Sequence, residues 1–352
     1  MANANDVALR FADRDLKQWL ALQLRRDMES LAPSFAVQLW DAWAGQNTPF
    51  VEGDTVQILW KNGREFTGYI DAIRSQSSAT NTLITVTGRS KTLDLIECSA
   101  VTKPGEWRRT GLLAIATDIA APFGIACGSD VDLGAPFAVF TLQEGESANE
   151  AIQRLARMRG VLAVGDEFGD VQFTRAGTER AGTKLQYRVN ILESSSEISA
   201  EQRYSEYTIK TQVAGTDDFF GANAAAVSAK ATDPDVRRYR PLTLIAEAQE
   251  TGASLQKRAD WERTYRAGQS RRAAVKTYGA EHRDGYLWAP NMLVDIDDPR
   301  VRLKGELLIV ATTLSIAENG TTTDLELANP AALTIEPLAP PKKKRGGFDS
   351  WL

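Results

Sequence analysis

The chain has 352 residues, 43% hydrophobic and 25% charged, a composition that excludes a disordered protein and is too long for one ordinary core. No run approaches the roughly 18 uncharged apolar residues of a membrane helix, so no integral membrane segment is expected. The formal net charge is −5, from 41 Lys and Arg against 46 Asp and Glu, opposite to the balance of a sequence-independent nucleic-acid binder.

The opening residues lack the basic start and apolar run of a signal peptide, so folding in a cytoplasm is expected. The first hundred residues read mainly as strands. Phe35, Val37 and Leu39 alternate along Ser34–Trp40, the period of a half-buried strand. Glu52-Gly53-Asp54 is a turn before Thr55–Trp60, and Asn62-Gly63 between apolar runs predicts a hairpin into Glu65–Ile73. Thr82–Thr87 follows a polar loop, so these strands form a meander that closes toward a barrel or sandwich.

Composition changes near Lys103-Pro104-Gly105. Thr110 is placed to cap a helix through Leu113, Ile115 and Ile119 that Pro122 stops. Ser147-Ala-Asn-Glu150 is a capping box: the serine accepts from the third helical amide and the glutamate reaches back. Its helix carries Ile152, Leu155 and Ala156 on one face and ends at Gly160. Val161–Val164 and Val171–Thr174 flank a turn, making a small α+β part.

Strands return at Ile191–Glu197 and Glu206–Val213. Gly215–Pro234 reads as a long loop and Ser254–Ala267 as a helix, with Leu255 and Ala259 on one stripe and Trp261 and Tyr265 on the next. Strands centred on Leu293–Ile296, Glu306–Ile316 and Thr323–Ala328 complete the fold. The proline-rich, basic and aromatic end is expected to be a flexible tail. The expected class is mainly β with a smaller α+β part: two β-barrel-like domains, 1–105 and 181–335 (the latter with a long helix), an α+β domain at 106–180, and the tail at 336–352.

A faint echo links the halves. Gly53-Asp54, Val56, Ile58 and Trp60 precede Gly68 much as Pro290-Asn291, Leu293 and Ile296 precede Gly305. Each glycine then opens an apolar run, a polar loop and a last strand, although the apolar registers do not match residue for residue.

Candidate chemistry is sparse. Cys98 and Cys127 are too few for a disulfide framework or a closed zinc site and read as two small buried thiols. His282 is the single histidine, beside the polar turn Arg283-Asp284-Gly285, and reads as a surface residue. No G-x-S-x-G elbow, Walker A lysine loop or G-x-G-x-x-G fingerprint occurs. Asp295, Asp297, Asp298 and Pro299 lack the glycine and terminal glutamate of a calcium loop and read as turn chemistry. Asp166-Glu167 and Asp217-Asp218 read as solvated loop carboxylates. Residues 235 to 284 carry 11 Lys and Arg against 7 Asp and Glu, which suits a protein contact or a solvated helix. Lys342–Arg345 reads as part of a solvated or partner-binding tail. No catalytic, cofactor-binding or metal-binding residue is nominated, and no cofactor is expected.

Several segments in order carry a family resemblance: Leu31–Val37, the Gly53-Asp54 turn with its Trp60 and Phe66–Tyr69 hairpin, Thr85–Ser90, Leu142–Glu150, and Tyr286–Asn291. Together they resemble the central baseplate hub protein of Mu-like contractile-tailed phages over nearly the whole chain. That resemblance implies a structural, non-enzymatic protein of the virion tail baseplate. It implies a ring-shaped homotrimer that adapts the sixfold tail tube to the trimeric membrane-piercing spike and lets DNA pass. Its partners would be copies of itself, the spike or puncturing protein, the tube protein and other baseplate proteins, with no specific nucleic-acid binding. The net negative charge of three copies would line the lumen and keep DNA from adhering. Two alternatives stay open: a carboxylate-based cell-wall hydrolase of the tail, and the hub of a related contractile injection machine.

Overall fold

The computed structural model describes residues 6–12, 14–16, 18–40, 48–61, 63–79, 81–103, 105–177, 179–212, 225–245, 252–283 and 285–333. Asn62, Pro104, Asp217, Asp218, Asp284 and the tail from 334 onward, all named above, lie outside the described residues. The described residues form two compact units, those within 1–201 together with 267–333, and those within 202–266.

In the first unit the chain lays down β1 (Val7–Phe11), β2 (Arg14–Leu16), β3 (Ala21–Asp27), β4 (Ser34–Trp40), β5 (Thr55–Trp60), β6 (Gly63–Ser77) and β7 (Thr82–Ser90). They lie side by side in the order β2-β1-β5-β6-β7-β4-β3, each pair antiparallel. Alternation drives this half: Phe35, Val37 and Leu39 of β4, Val56, Ile58 and Trp60 of β5, and Ile84 and Val86 of β7 all enter one core. Gly88 on β7 is required by that packing, because a Cβ there would lie 2.0 Å from the Tyr69 carbonyl and 2.6 Å from the Phe35 ring.

The middle of the chain makes α1 (Leu93–Glu97), β8 (Glu106–Thr110), α2 (Leu112–Ala120), β9 (Cys127–Ser129), β10 (Phe137–Thr141), α3 (Ala148–Arg159), β11 (Leu162–Gly165) and β12 (Val171–Thr174). Helices α2 and α3 pack with the small sheets β8-β10 and β11-β12-β9 around Ile115, Ile119, Ile152, Leu155 and Phe173. The Ser147 capping box is present: Glu150 N donates to Ser147 Oγ at 3.1 Å and Ser147 N donates to Glu150 Oε2 at 2.7 Å. Gly160 closes α3 in the left-handed conformation. Thr110 does not cap α2. It ends β8, and Gly111 takes the cap position with no side-chain hydrogen bond, so the first-turn amides of α2 lack the side-chain partner expected from sequence.

After β13 (Glu179–Arg180), β14 (Leu185–Gln186) and β15 (Ile191–Ile198) comes the second unit. It consists of β16 (Glu206–Gln212), β17 (Ala225–Thr232), β18 (Pro241–Ile245) and α4 (Gly252–Gln269), the last through Arg266. The sheet runs β17-β16-β18, and Leu255 and Ala259 of α4 share a core with Tyr207, Ile209, Ala229 and Ala231. Strand β17 falls inside the stretch expected to be loop. Its alternation is written in alanines, with Ala229 and Ala231 inward, which carry little hydrophobic contrast.

The chain then returns to the first unit with β19 (Arg271–Tyr278), β20 (Glu281–Arg283), β21 (Tyr286–Leu287), β22 (Met292–Asp298), β23 (Leu303–Ala317) and β24 (Gly320–Ala328). The order here is β22-β23-β24-β19-β15, with β13 and β14 parallel to β22. Strand β23 then pairs with β3, from Ala311 opposite Asp27 to Ala317 opposite Ala21, so one sheet holds both halves. Among the described residues no sheet closes on itself.

The echo in the sequence has a structural counterpart. In each half a 15-residue strand sits between a shorter strand and a nine-residue strand and is bulged toward the nine-residue one, at Asp71 in β6 and at Val310 in β23; β6 carries a second irregularity toward β5, at Glu65. Counted outward from the bulge, Ala72, Thr87, Ala36 and Gln23 lie in register across β6, β7, β4 and β3. Ala311, Glu326, Ala274 and Ser195 lie in the same register across β23, β24, β19 and β15. The glycines that suggested the echo are not equivalent, since Gly68 faces Val56 and Gly305 faces Ile296 across turns of different length.

Candidate assembly surface

The equivalence of the halves places two large aromatic side chains at matching points. Trp40 ends β4 opposite Leu83 of β7, and Tyr278 ends β19 opposite Thr322 of β24. These are the same position of the repeated register, and both side chains stand out, 53% and 64% exposed. Neither belongs to a core cluster.

Two sheet edges are also open. Strand β15 pairs with β19 on one side and, among the described residues, with no strand along its other side. Strand β6 pairs with β5 only as far as Tyr69, so beyond the bulge its side toward β5 carries no strand among the described residues. The first of these edges is held in place by a buried carboxylate. Asp298 Oδ2 accepts from Ser194 Oγ of β15 at 2.6 Å, and the Arg300 guanidinium donates to both Asp298 oxygens at 2.8 and 3.0 Å. Those hydrogen bonds pull the Asp298 carboxyl down to about 2, while Arg300 lies 3.7 Å from the centre of the Tyr187 ring.

A polar cavity of about 300 Å³ lies beside the β20-β21 hairpin, lined by Arg26, Arg64, Glu65, Glu179, Arg180 and His282 among others. Two of its arginines are ion-paired. Arg26 donates to Glu65 at 3.0 Å and to the Trp288 carbonyl at 2.9 Å, and Arg180 pairs with Glu306. Burial pushes the Glu65 carboxyl up against the pull of Arg26. Nearby, Glu281 accepts from Trp60 Nε1 at 2.8 Å and from Lys61 at 2.7 Å, clamping the hairpin to β5.

His282 is buried, 5% exposed, and not the surface residue its neighbours suggested. Its Nδ1 accepts from Gly182 N at 2.7 Å, and the Trp288 and Tyr286 rings flank it. Burial and then Arg283 lower its pKa, so the ring is held neutral. The polar turn after it hid an inward-facing strand position.

The other weighed residues stay apart. Strand alternation exposes Asp295, leaves Asp297 half-buried beside Lys184, and turns only Asp298 inward, where it caps the short helix Pro299–Val301. Asp166 accepts from the amides of Phe168 and Asp170, an Asx-type turn that sets the β11-β12 hairpin. Cys127 is half-buried, and desolvation followed by Asp170 pushes its thiol up to about 12. Cys98 is exposed just past α1, a correction to its expected burial. Among the described residues no group of three or more His, Cys, Asp or Glu side chains is placed to hold a metal ion, and no helix is long and apolar enough to cross a membrane.

Comparison of the fold defines the class. The 43 kDa tail protein of prophage MuSo2 from Shewanella oneidensis superposes with a TM-score of 0.82 at 29% identity, over 94% of this chain and 99% of that one. The tail protein from Neisseria meningitidis MC58 superposes at 0.77 with 20% identity, over 94% and 98%. The fold is that of a phage tail protein.

Family models then match successive parts of the chain. They are the N-terminal domain of the Mu phage baseplate assembly protein GpP-like group at 6–90 and the gp44-like baseplate hub second domain at 92–175. The NMB1110-like tail protein third domain follows at 203–261, and the GpP fourth domain at 251–336. Baseplate hub protein gp44 of Escherichia phage Mu is 35% identical over 366 residues, which span 99% of this chain and 93% of that protein. The chain belongs to this family of phage baseplate hub proteins.

Proposed function

We propose that three copies of the chain form a ring on the axis of a contractile tail. The ring joins the sixfold tube to a trimeric membrane-piercing spike and leaves a passage for DNA. The observation that carries this reading is the repeated register within one chain, with Trp40 and Tyr278 exposed at its matching positions. Three chains offer six such aromatics, the number a sixfold tube requires, whereas a threefold spike needs no equivalence between the halves. The tube therefore docks on the aromatic face. Residues 1–105 and 181–335 supply the ring, 106–180 projects from it as a separate α+β part, and the 336–352 tail serves a partner. The role is structural and not enzymatic, assembly takes place in the host cytoplasm, and the net negative charge faces the lumen.

Light scattering on a size-exclusion column tests the ring: about three times 38.6 kDa is expected, and a monomer at every concentration overturns it. Trp40→Ala with Tyr278→Ala should leave that mass unchanged and abolish co-sedimentation with assembled tubes. Unaltered tube binding by the double variant refutes the assignment of the aromatic face.

A further inference from the structure

Within one chain, among the described residues, the two halves are joined by a single strand pair, β3 with β23 beyond its bulge. Leu22 faces Ile316 and Leu24 faces Leu314 across it, all four buried, and Arg25 crosses the opposite face of the sheet to Glu326 at 2.6 Å. The repeated register identifies the two strands that occupy the corresponding places at the far ends. Strand β15 is to the second half what β3 is to the first, since each is the strand after β19 or β4 and Ser195 corresponds to Gln23. Beyond its bulge, β6 is to the first half what β23 is to the second, with Ala72 corresponding to Ala311. These are the two open edges described above. An unpaired edge with regular backbone is a template for another strand.

We infer that β15 of one protomer adds antiparallel to the free edge of β6 in the next, repeating between chains the junction that β3 and β23 make within one. This inference rests on the ring reading above and specifies its interface. The register follows from residue equivalence alone. It sets Ser195 opposite Gln76, Ser196 opposite Ser75, Glu197 opposite Arg74 and Ile198 opposite Ile73. Nothing in the transfer of register required chemical sense, yet an acid meets a base and an isoleucine meets an isoleucine. Glu197 and Arg74 have no ion-pair partner among the described residues, Ile198 is 55% exposed, and Ile73 is a partly buried residue at the rim of the first core. Ile198 and Ile73 take the places of Arg26 and Thr312, the pair two residues along from Leu24 and Leu314 on the same face of the intramolecular junction, and in β15 that face carries Ser194 and Ser196 to Asp298 and the Val301 carbonyl. A heterologous contact of this kind is the same operation applied repeatedly, and it closes when the rotation divides the circle.

The test uses the full chain with Cys98→Ser, leaving Cys127, which is half-buried and held protonated. Arg74→Cys with Glu197→Cys in the same chain should oxidise to covalent dimers and trimers on a non-reducing gel. The pair shifted by one residue, Arg74→Cys with Ser196→Cys, should not. In cysteine-free strands, Glu197→Arg and Arg74→Glu should each lower the association constant about two- to fivefold per junction, and the double exchange should restore it. Light scattering on the same samples separates the two levels of the argument. A trimer whose 74–197 pair fails to cross-link, or cross-links no better than the shifted pair, overturns the strand junction and leaves the ring. A chain that stays monomeric overturns both.

Discussion

Asp298→Asn removes one negative charge from a buried site and keeps its volume. The carboxyl sits near 2 against an ordinary value of 3.8, a displacement that corresponds to about 2 kcal/mol of stabilisation at neutral pH. Because the folded value is depressed, this contribution is complete above 3.8 and is lost as pH falls from there through about 2. Its partner Arg300 is partly exposed and rehydrates when orphaned, so the loss should stay near this figure and below the 3–5 kcal/mol typical of breaking a fully buried pair. The effect should be local to β15 and the Pro299–Val301 turn, since Ser194 and Arg300 are the groups that Asp298 holds. Hydrogen exchange read by mass spectrometry on peptides covering 191–199 and 292–302 is the direct assay, with urea denaturation alongside. At pH 7 the variant should exchange faster in these peptides by a factor equivalent to about 2 kcal/mol. The difference should shrink below pH 4 and nearly vanish by about pH 2. A difference that stays constant from pH 7 to 2.5 would refute the electrostatic argument and leave hydrogen bonding or packing as the cause.

The two thiols should behave oppositely. At pH 8 an aromatic disulfide reagent should titrate one thiol per native chain, Cys98, and two in denaturant, because Cys127 is held protonated up to about 12. Two fast thiols in the native protein would contradict this placement. Ser147→Ala should cost about 1 kcal/mol in denaturation and Ser147→Asp should recover most of it, as expected for an N-cap. Gly88→Ala should prevent folding or lower the melting temperature sharply, because the Tyr69 carbonyl cannot move without breaking the β6-β7 ladder. Gly124→Ala, with open space around it and a φ of +67°, should cost only about 1 kcal/mol. Equal losses for the two glycines would show that backbone strain, and not the close approach in the sheet, sets the penalty.

Features governed by neighbours in the chain were legible from the residues. The alternation of Phe35, Val37 and Leu39, the Ser147–Glu150 box with its Gly160 terminus, and the Leu255 and Ala259 stripe of α4 each depend on contacts within a few positions. Signals failed where tertiary packing overruled the local pattern. Thr110 has the composition of a cap and became the end of a strand, because β8 pairs with β10 through it. His282 sits in a polar sequence and is buried, because the hairpin folds it toward Gly182, a residue 100 positions away. Cys98 is apolar in character and lies exposed, because α1 ends one residue before it.

What the sequence determined by itself was the class of structure: a mainly β chain with an α+β part, a family resemblance spread over strands and turns, and the suspicion of a repeat. It determined these because strand period, capping and turn chemistry are short-range properties. Only the tertiary structure decided that β3 seals the second half by pairing with β23, that β15 stands where β3 stands, and that Trp40 and Tyr278 are equivalent. Register between distant strands is set by which faces find a shared core and by where a bulge shifts the ladder. Neither is encoded at a fixed spacing along the chain.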